Sequence, residues 1–224
     1  MSKRVSHSLL DPLIGPPLAN LYPHLPIPRG FPPEGIVLIG HLSAIAGAIG
    51  LAFSTTNWWG GWLAVAGIAC NHLADCVDGR HARSTGQCRN GGELLDHFTD
   101  PLSFTYWLVG LAVACDRLEI GLVAVIVLMA MAVLTNLRAK LTGEFSLATF
   151  GPTEFKTLLI VFGLALAALS VFAPDAAPTT CLVGLATLTT IGLVLLPIQL
   201  FQSVRDVNRS GKQPDTSEWE TTRR

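Results

Sequence analysis

Apolar runs of about the 20 residues that a bilayer-spanning helix requires recur along this chain, at approximately residues 35–54, 58–78, 92–115, 119–142, 152–173 and 178–203. Half the residues are hydrophobic and only 14% are charged, with a mean hydropathy of +0.48. That balance is the one expected of an integral membrane protein. The predicted fold is all-α: one six-helix transmembrane domain over residues 34–204, preceded by a juxtamembrane segment, 1–33, and followed by a polar tail, 205–224.

Residues 7–25 mix apolar clusters with prolines and are too interrupted to span, which suits a short helix on the membrane surface. The prolines at 16, 17, 23, 26, 28, 32 and 33 then enforce a bent, extended connection. A broken apolar pattern of this kind also argues against a cleavable signal peptide. In the first run Gly47, Ala48 and Gly50 permit close helix approach, and Trp58 and Trp59 suit an interfacial belt.

The loops set the orientation. Lys3, Arg4, Arg29, Arg80, Arg83, Arg89, Arg138, Lys140, Arg205, Arg209 and Lys212 fall on one side of a six-span arrangement, and the opposite loops hold Arg117 alone. The positive-inside rule then puts both termini in the cytoplasm. The expected location is multi-pass in the cytoplasmic membrane. A formal net charge of −1, with no basic tract interleaved with aromatics, argues against a nucleic-acid partner. Cys70, Cys76, Cys88, Cys115 and Cys181 show no metal-ligand spacing and read as free thiols.

Against this apolar background the segment from Asp75 to Asp100 stands out. Asp75 and Asp78 are three residues apart, and Asp96 and Asp100 are four apart, so each pair falls on one face of its helix. Four carboxylates converging near a bilayer repel unless cations neutralise them or their pKa values rise. Hard divalent ions bound through oxygen meet that need. Asp75 and Asp78, at the end of the second run, oppose their helix dipole, whereas Asp96 and Asp100, early in the third, are favoured by theirs. A local electrostatic conflict of the first kind points to function.

The spacing Asp75-x2-Asp78-Gly79-x2-Ala82-Arg83-x8-Gly92-x3-Asp96-x3-Asp100 resembles, position for position, the signature of the CDP-alcohol phosphotransferase family. The signature covers 26 residues, and the hydrophobic pattern on both sides is similar to that family over most of the chain. The resemblance implies that Asp75, Asp78, Asp96 and Asp100 hold two divalent ions, Mg²⁺ with Mn²⁺ as a substitute. It also makes Asp100 a candidate base. Asp75, Gly79, Ala82, Arg83 and Gly92 would bind the CDP moiety. Glycine permits close approach at positions 79 and 92, and Arg83 offers a fork-shaped donor to phosphate. A homodimer is a further implication.

Gly92-Glu93-Leu94-Leu95-Asp96-His97 is similar to the branch that transfers choline or ethanolamine phosphate to diacylglycerol, and so is Thr153-Glu154. That resemblance makes His97 and Glu154 candidates for activating the acceptor hydroxyl. Glu154 equally suits the N-terminus of a helix, where the dipole favours a carboxylate. One departure is Pro33-Glu34, where the family often carries Pro-Asn. His72 and His81 flank the motif without a metal spacing and read as surface or packing residues.

The expected reaction is Mg-dependent transfer of phosphocholine or phosphoethanolamine from the CDP conjugate to diacylglycerol, releasing CMP. An alternative with the same fold uses CDP-diacylglycerol as donor to glycerol phosphate, inositol phosphate or serine. Arg138 and Lys140 would then meet an anionic acceptor, although both also fit the positive-inside pattern. A cation transporter is the remaining class. Clustering of the aspartates at one boundary instead of the midplane argues against it.

Overall fold

Proline marks where the helices begin: Pro12, Pro33, Pro152 and Pro178 each occupy one of the first two helical positions, where a missing N–H costs nothing and a fixed φ is already helical. The computed structural model describes residues 3–147, 150–213 and 216. In it lie seven α-helices: α1 (Asp11–Asn20), α2 (Pro33–Ala52), α3 (Trp58–Thr85), α4 (Asn90–Ala114), α5 (Leu118–Thr142), α6 (Pro152–Phe172) and α7 (Ala177–Ser210). Two short strands, β1 (Lys3–Ser6) and β2 (Glu144–Leu147), pair in parallel with Lys3 opposite Glu144.

α2, α5, α6 and the segment Pro174–Ser210, which contains α7, are long and apolar enough to cross a membrane. α3 and α4 are diluted by Asn71, His72 and the aspartates, yet at 28 and 25 residues a rise of 1.5 Å per residue makes each about 40 Å long. Leu122, Ile126 and Val133 on α5 and Val194 and Phe201 on α7 are more than half exposed. A soluble surface rarely carries so much apolar area. This is a multi-pass, all-α membrane protein.

The helix boundaries depart from the sequence reading in three places. α1 occupies only Asp11–Asn20 of the expected surface segment 7–25. α3 continues past residue 78 to Thr85, so the Gly79–Arg83 stretch is helical and not loop. α7 absorbs residues 205–210 of the expected polar tail, while 1, 2, 214, 215 and 217–224 lie outside the described residues.

Close packing of α2 on α3 organises the core. A Cβ on Gly67 would collide with the backbone of Gly47, and one on Gly50 with that of Ala64. Small residues let the two helix backbones approach in this way. α4 closes the third side: Trp107 is fully buried, and its indole Nε1 donates to the Ala44 carbonyl at 3.0 Å. Leu159 and Leu166 of α6 and Leu185 of α7 complete this apolar cluster. The five cysteines are free.

Candidate active site

Asp75, Asp78, Gly79 and Ala82 follow one another at i, i+3, i+4 and i+7 on α3, a single stripe of an uninterrupted helix. The helix ends only at Gly86, whose φ of 73° is left-handed, and the Gln87 amide donates to the Ala82 carbonyl at 2.8 Å. Glycine at that position is what the left-handed stop demands. On α4, Asp96 and Asp100 sit one turn apart. Pro101 follows directly, so the His97 carbonyl loses its helical donor beside the acidic pair.

These two helices bring three of the expected metal ligands together: one carboxylate oxygen from each of Asp75, Asp96 and Asp100 lies within 4.8 Å of the others. Asp78 lines the same cavity but stands outside that triad, its carboxylate accepting from the Gly79 amide. α2 forms the remaining wall through Gly40 and His41. Asn71 Oδ1, a buried acceptor with no hydrogen-bond partner among the described residues, borders the cavity too. Convergent hard oxygen donors in a partly enclosed polar cavity fit Mg²⁺ or Mn²⁺ chemistry.

Sequence reasoning missed Lys156. This residue is fully buried on α6, and its Nζ donates to Asp75 Oδ2 at 2.8 Å and to Asp100 Oδ1 at 3.3 Å. A lysine near the start of an apolar run was the available signal, because ionisable groups in a span face the interior and find partners. Its partners lie 81 and 56 residues away, a distance that only tertiary packing bridges.

His72, expected at the surface or in packing, is buried, with Nδ1 4.0 Å from Asp75 Oδ2. His81 is a fully bonded packing residue. Its Nδ1 pairs with the Tyr22 hydroxyl at 2.9 Å and its Nε2 with the Phe31 carbonyl at 2.8 Å, tying the N-terminal segment to α3.

The other sequence-derived positions lie outside both the triad and the cavity lining. Arg83 is exposed, and its guanidinium lies across Gly79, where a Cβ would meet Nη1 at 3.1 Å. Ala82 is half-buried, and a Cβ on Gly92 would meet nothing within 4 Å. His97 leaves the adjoining face of α4 and packs its ring on Phe145, centroids 4.6 Å apart. Glu34 faces Arg89 at 3.6 Å, and Arg138 is held by Asp206 of α7 at 2.8 Å.

Glu154 has a neighbourhood different from the one expected of a partner for His97. Its Oε1 accepts from the Ser8 hydroxyl at 2.6 Å and the Leu10 amide at 2.9 Å, and its Oε2 from the Gly151 amide at 2.8 Å. It caps α6 through the backbone that precedes it and clasps the segment before α1.

The chain is 31% identical over 94 residues to cholinephosphotransferase 1 of Mus musculus, covering 39% of this chain and 24% of that protein. With cholinephosphotransferase 1 of Homo sapiens it shares 30% identity over 110 residues, 46% of this chain and 27% of that protein. The match thus spans about a quarter of the length of these relatives. A family profile described as CDP-alcohol phosphatidyltransferase covers residues 36–202, which includes every aspartate of the cluster and the lysine between them, and the chain belongs to that family.

Proposed function

We propose that this protein transfers phosphocholine or phosphoethanolamine from its CDP conjugate to diacylglycerol, releasing CMP, as a step of phospholipid synthesis. The observation that carries the reading is the meeting of Asp75, Asp96 and Asp100 within 4.8 Å in a cavity walled by three helices. Two Mg²⁺ ions held by these residues and Asp78, with Mn²⁺ as a substitute, would neutralise the pyrophosphate and polarise its P–O bonds.

The chain's own groups do the rest. Arg83 presents its fork to the phosphates, and Gly79 leaves it the room to lie along α3; Asp75, Ala82 and Gly92 border the nucleotide. The acceptor hydroxyl oxygen bonds to the phosphorus that carries the amino alcohol. The bond from that phosphorus to CMP breaks, and CMP leaves with the electron pair. His97 takes the hydroxyl proton, with Asp100 the competing acceptor. Glu154 supports the site by holding the N-terminal segment on α6.

In the membrane, α2 to α7 make six spans and α1 lies at the surface, with both termini and the acidic cavity cytoplasmic. Small-residue faces pair two copies in a homodimer. Labelled CDP-choline, CDP-ethanolamine and CDP-diacylglycerol, each offered to membranes with and without Mg²⁺, test the reaction. Labelled phosphatidylcholine or phosphatidylethanolamine from the first two, only with Mg²⁺, is the expected product. Labelled product from CDP-diacylglycerol alone reverses the substrate assignment.

A further inference from the structure

Lys156 brings its ammonium to two of the three carboxylates that form the acidic triad, and its side chain is completely enclosed. Its Nζ donates to Asp75 and to Asp100, both of the cluster. A buried ion is tolerable only when paired and hydrogen-bonded, so this lysine and this cluster need each other. Resting on the metal reading above, we infer that Lys156 is the resident counter-ion of the metal-free site, and that a divalent cation displaces it from Asp75 and Asp100 on entering.

The chemistry requires an exchange. An ammonium 2.8 Å from Asp75 Oδ2 uses a lone pair that an incoming ion needs at about 2.0–2.1 Å. An ammonium held on Asp75 and Asp100 also adds to the positive charge that an arriving divalent ion must overcome. Lysine suits displacement because a flexible four-carbon stem carries its charge; the stem stays packed in α6 while the ammonium turns toward the Phe104 ring, whose centroid lies 5.6 Å from Nζ. Arginine, with its rigid planar fork, would be harder to move. The lysine therefore does two things at once. It keeps the acidic cavity folded before metal arrives, and it holds divalent affinity below what the carboxylates alone would give.

The test uses the full chain in mild detergent, stripped with EDTA, with Mn²⁺ binding read by electron paramagnetic resonance and unfolding read by thermal melts. Lys156→Met and Lys156→Gln should bind Mn²⁺ about tenfold more tightly than the unsubstituted protein, the scale of one screened charge repulsion. Both should melt at lower temperature in EDTA and gain more from Mg²⁺. Unchanged or weaker Mn²⁺ binding by both variants overturns the exchange, and so does failure of both to fold in saturating Mg²⁺, since the metal is meant to replace the lysine. Asp96→Asn, which leaves the two partners of Lys156 in place, should lose Mn²⁺ binding. If the unsubstituted protein and both lysine variants bind no divalent ion, the metal-site reading itself falls, and the exchange with it.

Discussion

The Ser8 hydroxyl donates to Glu154 Oε1 at 2.6 Å across 146 residues of chain, clasping the segment before α1 onto the first turn of α6. Leu10 and Gly151 supply the remaining donors to that carboxylate. Hydrogen bonds to a charged group contribute about 1.5–3 kcal/mol each, so Glu154→Ala should be clearly destabilising. Combining it with Ser8→Ala should add less than the serine change alone, because the shared bond is already lost. Unfolding measured on a double-mutant cycle checks this, and strict additivity would show that the clasp carries no energy.

The crossing of α2 on α3 offers a second test. A side chain on Gly67 has nowhere to go but into the Gly47 backbone and the Ser43 carbonyl, and backbone yields less readily than a side-chain tip. Overpacking of this kind costs about 1–3 kcal/mol, so Gly67→Leu should lower the melting temperature. A Cβ on Gly30 meets nothing within 4 Å. Gly30→Ala should therefore melt like the unsubstituted protein, and equal damage from both changes would contradict the packing argument.

The order of the long helices and the convergence of Asp75, Asp96 and Asp100 were legible in the sequence because both follow from local periodicity: apolar run lengths, and carboxylates one turn apart. The path of α3 was not. The apolar run ends near residue 78, yet of Gly79 and Gly86, which follow it, only Gly86 adopts a left-handed φ and stops the helix. Gly79 stays helical with Arg83 folded across it. Lys156 was missed for the opposite reason: a lysine in an apolar run signals a buried partner, but which partner depends on which helices pack together. Glu154 lay between these cases: a carboxylate in the first helical turn is a capping signal in sequence, and the clasp to Ser8 is a tertiary addition to it.

Asp78 separates the metal reading from a simple acidic cavity. It is buried and lines the same cavity as the triad, with its carboxylate turned to the Gly79 amide. Asparagine keeps its shape and can still accept that bond, but removes the charge a divalent ion would need. Asp78→Asn should abolish transfer, and EDTA should do the same to the unsubstituted enzyme until Mg²⁺ is restored. Near-normal turnover by Asp78→Asn with unchanged Mg²⁺ dependence would remove this residue from the metal site.

His97 carries the sharpest catalytic prediction. A diacylglycerol hydroxyl is a weak nucleophile at neutral pH, and its transfer needs a base within hydrogen-bond reach or one water away. Divalent ions would occupy the carboxylates of Asp75 and Asp100 in place of Lys156, which weakens them as bases. His97 lies between Asp96 and Asp100 in the sequence of α4, with its ring packed on Phe145; as the base it would serve a substrate lying over that turn of the helix. Loss of a general base typically slows a reaction by about 10²–10⁴-fold, so His97→Ala should reduce turnover on that scale while Mn²⁺ binding and CDP-alcohol binding persist. Glu154→Ala should act mainly through stability, with turnover per folded molecule much less affected. If His97→Ala turns over like the unsubstituted enzyme at saturating diacylglycerol, Asp100 becomes the base, and the histidine is left with its packing against Phe145.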